Sequence, residues 1–122
     1  MAKVLVIEDD SHIWKIIEYR LAKEKHELVW ASDGLKALEL LETIKPDLII
    51  SDIMVPYMDG IQILKKIKQE DKLKDIPVIM LTSKAQEKDI VKGLELGAQD
   101  YMAKPFSPSE LILRVNKALK SN

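Results

Sequence analysis

Cysteine is absent from the 122-residue sequence, which excludes disulfides, thiolate metal ligands and a cysteine nucleophile. Long hydrophobic runs are also lacking, since the apolar segment at 4–7 is too short for a signal peptide or a membrane span. Neither sign of charge dominates: the formal net charge is -1, so the composition does not favour binding to nucleic acid or an acidic membrane. We expect one soluble, intracellular domain over residues 1–122.

Short apolar runs alternate with longer amphipathic segments along the whole chain. The runs occupy residues 4–7, 28–31, 48–50 and 78–81, with a weaker one at 101–102. Between them, apolar residues recur every three or four positions, as on one face of a helix. Five repeats of strand and helix predict an α/β fold, in which a five-stranded parallel sheet carries helices on both faces in the doubly wound manner.

The first and fourth predicted helices have specific boundaries. Ser11 is placed to cap the first helix. Trp14 falls off the apolar face of this helix, and it is either an exposed contact for a partner or packed against a neighbouring loop. The fourth helix is expected over 85–96, ending at Gly97. The expected apolar face of the first helix consists of Ile13, Ile16, Ile17 and Leu21.

Polar side chains occur where the predicted strands end. They are the acidic run at 8–10, Asp52, Thr82 and Lys104. Because the carboxyl ends of parallel strands meet at one edge of a sheet, we expect these side chains to lie close together. Each acidic residue of the 8–10 run, taken alone, is equally well explained by the favourable charge at a helix start, but this does not explain the whole set.

Clustered carboxylates, a hydroxyl and a lysine form a set suited to phosphoryl chemistry. Carboxylates this close raise one another's pKa values unless positive charge compensates. Mg²⁺ is suited to a site of few carboxylates, water and phosphate oxygens, and Lys104 would add a fixed charge. Asp52 can then attack phosphorus as a nucleophile, and Thr82 can bond a phosphate oxygen.

Four motifs, in this order and spacing, resemble the receiver domains of two-component response regulators. They are VLVIEDD at 4–10, DIMVPYMDG at 52–60, LTS at 81–83, and GAQDY followed by KPF between 97 and 106. The sequence is similar to the chemotaxis response regulator and to the receiver domains of winged-helix transcriptional regulators. The resemblance covers essentially the whole chain and implies a cytoplasmic phosphoprotein with the flavodoxin-like strand order 2-1-3-4-5.

The resemblance also assigns an acceptor and its metal ligands. It implies that Asp52 accepts a phosphoryl group from the phosphohistidine of a sensor kinase or a histidine phosphotransfer protein. Asp9, Asp52 and the backbone carbonyl of Met54 match ligands of Mg²⁺, and Glu8 matches a residue that holds a metal-bound water. Met54 and Lys84, each two residues after a site residue, correspond to positions that affect access of water to the acyl phosphate.

Switch residues follow from the same resemblance. Thr82 matches the hydroxyl that moves toward the phosphoryl group, and Lys104 matches the lysine that pairs with this group. Tyr101 matches the aromatic residue whose rotamer follows Thr82. The Lys104–Pro105 peptide bond is expected to be cis.

The expected output surface is formed by helix 4, strand 5 and helix 5. Charged residues there resemble part of the pattern through which related transcription factors dimerise, so we expect a homodimer on phosphorylation. They are Lys92, Glu95, Asp100, Glu110 and Arg114. We expect no direct nucleic-acid or membrane contact by this domain.

Three further questions stay open at the level of sequence. A Mg²⁺-dependent phosphohydrolase would need an acid two residues after Asp52, where Met54 stands. A pseudo-receiver, which binds partners without phosphorylation, normally lacks one of the acid, acceptor or lysine positions, yet Asp9, Asp52 and Lys104 are all present. The chain is either a stand-alone regulator or the receiver part of a longer protein.

Overall fold

Strands and helices alternate along the chain, as the apolar pattern predicts. The computed structural model describes residues 1–83 and 87–120. Each strand is one or two residues longer than its apolar run, so β3 and β4 end on Asp52 and Thr82. The elements of the described part are, in order, β1 (Lys3–Ile7), α1 (Ser11–Lys23), β2 (Glu27–Ala31), α2 (Gly34–Leu41), β3 (Leu48–Asp52), α3 (Gly60–Gln69), β4 (Val78–Thr82), α4 (Glu87–Glu95), β5 (Asp100–Ala103) and α5 (Pro108–Lys120).

The strands form one parallel sheet in the order β2-β1-β3-β4-β5, which confirms the predicted topology. The chain runs from β1 outward to β2 and then returns to β3 on the other side of β1. This reversal makes a switch point between β1 and β3, outside whose carboxyl ends ligands bind in open α/β sheets. Ile7 lies opposite Ser51 there, so the residues that follow β1 lie beside the end of β3.

Two hydrophobic cores lie on opposite faces of the sheet. Side chains alternate between the faces along each strand: Leu5 and Ile7 face α2 and α3, whereas Val4 and Val6 face α1 and α5. Most of these strand residues are fully buried, and each fully buried Leu or Ile side chain contributes about 1.5–3 kcal/mol to stability. Both faces of the sheet are therefore covered by helices.

The first helix differs from the sequence prediction in its cap and in its buried face. Asp10, not Ser11, is the N-cap, and its carboxylate accepts backbone N–H bonds from the first turn of the helix. Trp14 is buried and Ile16 is 36% exposed, the reverse of the expected arrangement. The reason is that the buried stripe of the helix recurs every three to four positions and consists of Trp14, Ile17 and Leu21.

The fourth helix is described from Glu87 to Glu95. The predicted start of this helix at 85, and the role expected of Lys84, lie outside the described residues. Gly97 has a φ of +105°, a backbone conformation in which glycine is favoured, and it ends the helical segment as predicted. None of the helices within residues 1–83 and 87–120 is long and apolar enough to cross a membrane.

Candidate functional site

The carboxyl ends of three strands assemble a charged site. Glu8 and Asp9 follow β1, Asp52 is the last residue of β3, and Lys104 follows β5. The sheet order places β1 beside β3, and the lysine side chain extends across the edge to reach both. The expectation that polar residues at strand ends lie together is confirmed for these four residues.

Three carboxylates lie within reach of a single ion. One oxygen each from Glu8, Asp9 and Asp52 lies within 4.8 Å of the others. Glu8 and Asp52 are buried, whereas Asp9 is exposed at the rim. Asp10 does not join this cluster, because its carboxylate caps α1. Its helix-start role, one of the two interpretations of the sequence, is therefore the correct one for Asp10.

Lys104 is the cationic centre of the site. Its Nζ donates to Glu8 Oε1 at 3.0 Å and also pairs with Asp52 Oδ2. Burial alone would lower the pKa of Lys104, but the hydrogen bonds and attraction of the two carboxylates raise it above its ordinary value. The Lys104–Pro105 bond is cis, as predicted. The lysine is therefore protonated and held between two carboxylates.

Glu8 occupies a buried environment that resists its ionisation. Burial raises the pKa of Glu8 to about 7, and repulsion from Asp52 acts in the same direction. The backbone N–H of Asp10, 3.1 Å from Oε2, and the Lys104 ammonium oppose this rise. The backbone of Glu8 is also fixed, because its N–H donates to Ala31 O at 3.0 Å and its carbonyl accepts from Trp30 Nε1 at 2.7 Å.

The donor set is suited to a hard divalent cation. Three carboxylates face one ammonium, so the ionised cluster carries excess negative charge that oxygen-binding Mg²⁺ would neutralise. The exposed position of Asp9 leaves room for water ligands. The third predicted protein ligand is the backbone carbonyl of Met54. The N–H of this residue donates to Asp52 Oδ1 at 2.9 Å, and the residue is 73% exposed. The role of the Met54 carbonyl stays a prediction.

Thr82 lies beside Lys104, and Tyr101 lies beside the fourth helix. Thr82 is buried at the end of β4, and its carbonyl accepts the Lys104 N–H at 2.6 Å. The half-buried Tyr101 on β5 packs against the core beside α4. Its hydroxyl lies against Gly93, where an added Cβ would also lie 2.9 Å from Tyr101 Cζ. The Tyr101 ring therefore contacts α4 at Gly93, a residue that has no side chain.

Sequence reasoning missed two residues next to the site. Gly93 interrupts the interior of α4, where glycine is unfavourable, and that irregularity is the signal that could have drawn attention to it. Trp30 lies on β2 and its contact with Glu8 gives no local sequence signal, because the two residues are brought together only by strand pairing. Trp14 was expected off the helix face, either exposed or packed against a loop, but it is buried and stacks on Trp30 of β2.

The predicted output surface carries a charged network within the chain. Arg114 Nη1 lies 2.8 Å from both carboxylate oxygens of Asp100, and its Nε donates to Glu110 at 3.0 Å. Lys92 and Glu95 lie exposed on α4. The charged residues that were predicted on β5 and α5 therefore form ion pairs with each other within the chain.

This fold and site define a class of signalling protein. Residues 4–116 match the response regulator receiver domain family, and the chain belongs to that family. It is 46% identical over 118 residues to the alkaline phosphatase synthesis transcriptional regulatory protein PhoP of Bacillus subtilis (strain 168). That alignment covers 97% of this chain and 48% of the relative, so the chain spans about half the length of the relatives it matches.

Solved receiver structures share the whole fold. The receiver domain of the Francisella response regulator 1452 superposes with a TM-score of 0.91 at 38% identity, covering 99% of this chain and 98% of that one. The receiver domain of the sensor histidine kinase PA1611 from Pseudomonas aeruginosa PAO1 superposes with a TM-score of 0.89 at 28% identity, with 98% of each chain covered. That structure has a magnesium ion coordinated in its active site cleft. The flavodoxin-like receiver fold is therefore confirmed.

Proposed function

We propose that Asp52 is the phosphoacceptor of this receiver domain and that Mg²⁺ is its cofactor. The observation that carries the proposal is the position of Asp52: a buried carboxylate at the end of β3, paired with Lys104 and clustered with Glu8 and Asp9. The magnesium ion in the cleft of the PA1611 receiver domain supports the choice of metal. Asp9, Asp52 and the Met54 carbonyl would hold the ion, with Glu8 bonding one of its waters.

In the proposed reaction, one oxygen of Asp52 attacks the phosphorus of a phosphohistidine on a sensor kinase or phosphotransfer protein. The new P–O bond forms as the P–N bond breaks, and the electron pair of that bond returns to the imidazole nitrogen. The Met54 N–H holds Asp52 Oδ1, which fixes the orientation of the nucleophile. A bound Mg²⁺ would neutralise negative charge on the transferred oxygens.

Lys104 and Thr82 act on the product of this transfer. The Lys104 ammonium, which pairs with Asp52 in this structure, is placed to bond a phosphoryl oxygen instead. Thr82 at the end of β4 would turn toward the phosphoryl group, and Tyr101 would follow into the space it leaves. Phosphorylation would thereby shift an existing two-state equilibrium of α4, β5 and α5.

The site favours a switch over the two alternative functions. A phosphohydrolase would need a general acid at Met54, whose side chain is apolar and exposed. A pseudo-receiver would not require the contacts that join Lys104 to Glu8 and Asp52. We infer that residues 1–122 form a single cytoplasmic receiver domain that catalyses only its own phosphorylation and slow dephosphorylation, and that controls a partner or effector.

Intact-mass spectrometry tests this proposal. The protein is incubated with Mg²⁺ and phosphoramidate, which supplies a phosphoryl group on nitrogen, in parallel with Asp52→Asn. We expect one labile phosphoryl adduct on the wild-type protein, absent from the variant and prevented by chelating the metal. An adduct of equal yield on Asp52→Asn, or no adduct from any small-molecule donor, would contradict the proposal.

A further inference from the structure

Trp30 makes an unusual contact for a residue of an edge strand. Its indole Nε1–H donates to the backbone carbonyl of Glu8 at 2.7 Å. Trp30 is 36% exposed, so it adds less to the core than a buried tryptophan would. This hydrogen bond reaches the turn that carries two of the three clustered carboxylates.

A second tryptophan fixes the orientation of this donor. Trp14, buried on α1, stacks on Trp30 with ring centroids 5.2 Å apart and an interplanar angle of 8°. Val6 lies opposite Trp30 in the sheet, so the indole points to the face that α1 covers. The stack therefore limits the rotation of the Trp30 ring and directs its N–H at the end of β1.

The Trp30 indole bonds the first backbone carbonyl after the hydrogen bonds between β1 and β2 end. The Glu8 N–H donates to Ala31 O at 3.0 Å, but β2 ends at Ala31, and the carbonyl of Glu8 is held by Trp30. Because the peptide unit is planar, fixing the Glu8 carbonyl also fixes the N–H and Cα of Asp9. Together with the bonded Glu8 N–H, this hydrogen bond fixes the direction in which the Glu8 side chain leaves the backbone and the position of the Asp9 Cα from which the Asp9 side chain starts.

We propose that Trp30 is a positioning residue for the metal site, and that Trp14 is the platform that orients it. Through its N–H, Trp30 holds the peptide between Glu8 and Asp9 in the plane that brings their carboxylates toward Asp52. We expect the site to bind Mg²⁺ more tightly with this hydrogen bond than without it. This inference rests on the proposed Mg²⁺-dependent function of the same site.

The two tryptophans of the chain offer a matched pair of variants. Trp30→Phe and Trp14→Phe each replace one indole of the same stack by a phenyl ring, but only the first removes the N–H that bonds Glu8. We expect isothermal titration with Mg²⁺ to show a Kd about three- to tenfold higher for Trp30→Phe, the loss typical of one hydrogen bond. The Kd of Trp14→Phe should rise less than that of Trp30→Phe, because a phenyl ring at position 14 still stacks on the Trp30 indole and the N–H bond to Glu8 is kept.

Phosphorylation kinetics separate positioning from a loss of structure. For Trp30→Phe with phosphoramidate, we expect the half-saturating Mg²⁺ concentration to rise and the rate at saturating Mg²⁺ to match the wild-type rate. Equal weakening in both variants, or no weakening in Trp30→Phe, would overturn the inference. Failure of the wild-type protein to bind Mg²⁺ would instead refute the proposed function.

A measurement on the wild-type protein tests the inference even if Trp30→Phe does not fold. The indole N–H resonance of Trp30, assigned by its retention in Trp14→Phe, should exchange slowly with solvent and shift as Mg²⁺ is added. Rapid exchange and an unchanged chemical shift at saturating Mg²⁺ would show that the Trp30 donor is not coupled to the metal site.

Discussion

At the scale of residues, the site depends on a balance between two buried carboxylates and one lysine. Lys104 contacts both Glu8 and Asp52, and its ammonium lowers the cost of keeping the second negative charge in a buried place. The balance is incomplete, because burial still raises the pKa of Glu8 to about 7. The cluster is therefore most receptive to a cation when Glu8 has lost its proton.

The affinity for Mg²⁺ should consequently depend on pH. The pKa of Glu8 is about 7, so at lower pH Glu8 holds a proton that competes with the metal. The affinity should therefore rise as the pH increases from about 6 to 8 and then level off. Titration calorimetry at several pH values measures this rise, and Glu8→Gln should remove it. An affinity of the wild-type protein that is constant between about pH 6 and 8 would contradict the raised pKa.

Stability without metal should change in the opposite sense. Since the pKa of Glu8 is higher in the folded chain than its ordinary value of 4.5, the folded state retains the proton between these two values. The contribution of Glu8 to the free energy of unfolding is therefore fully present below about pH 4.5 and falls as the pH rises through 7. Urea denaturation of the wild-type protein and Glu8→Gln, compared across this window, isolates that contribution.

At the scale of elements, strand ends and helix starts place the chemistry. Asp10 and Asp59 show how local signals work: each caps the helix that follows it, and Asp59 forms a capping box with Gln62. The alternation of strand and helix was predictable because each apolar run is short and bounded by polar residues. The buried face of α1 was predicted less well, because a stripe through Trp14 and one through Ile13 fit the same spacing.

The contact between α4 and β5 predicts an effect of Gly93→Ala. The added methyl group would overlap the Tyr101 hydroxyl and ring end, so the ring must move away from α4. We expect nuclear Overhauser contacts between Tyr101 and residue 93 to be lost and the protein to be destabilised. In a Tyr101→Ala background, the same change should stabilise by up to about 1 kcal/mol, because alanine is the better helix former.

The double-mutant cycle formed by these variants checks the interpretation. Coupling between positions 93 and 101 of at least about 0.5 kcal/mol is expected for residues in direct contact. Additive effects of Gly93→Ala and Tyr101→Ala, with the Tyr101 ring unmoved, would show that Gly93 does not control the position of the ring.

At the scale of the whole molecule, the proposed phosphorylation site and the predicted output surface are joined by strand β5. Lys104 follows β5 directly, while Asp100 and Tyr101 on the same strand face the network of α5 and the side of α4. Apolar side chains are exposed beside the charged groups, with Val91 and Leu94 each nearly half exposed. Charges around an exposed apolar centre are typical of a protein–protein interface.

Phosphorylation should therefore promote a homodimer through α4, β5 and α5. Addition of beryllofluoride and Mg²⁺, which mimic the acyl phosphate, should shift the protein from monomer to dimer in sedimentation equilibrium. Arg114→Ala should weaken this dimer, because it removes the centre of the charged network, while leaving Mg²⁺ binding unchanged. A species that stays monomeric at high concentration with both additives would contradict this expectation.

Most residues of the site could be predicted from the sequence, but the contacts that hold them in place could not. Asp52, Thr82 and Lys104 were identifiable because each occurs at a strand end, where parallel strands converge whatever the details of packing. The indole bond of Trp30 and the close approach of Tyr101 to Gly93 depend on how neighbouring elements pack, which no local pattern encodes. The same holds for the raised pKa of Glu8, which follows from burial by surrounding chain.

The central claim is that Asp52 itself carries the phosphoryl group, and borohydride trapping tests it most directly. Borohydride reduces an aspartyl phosphate to homoserine, which tandem mass spectrometry locates in the sequence. After reaction with phosphoramidate and Mg²⁺, we predict homoserine at position 52 alone. Homoserine at position 9, or a stable phosphoryl group on a hydroxyl or histidine side chain, would contradict the account.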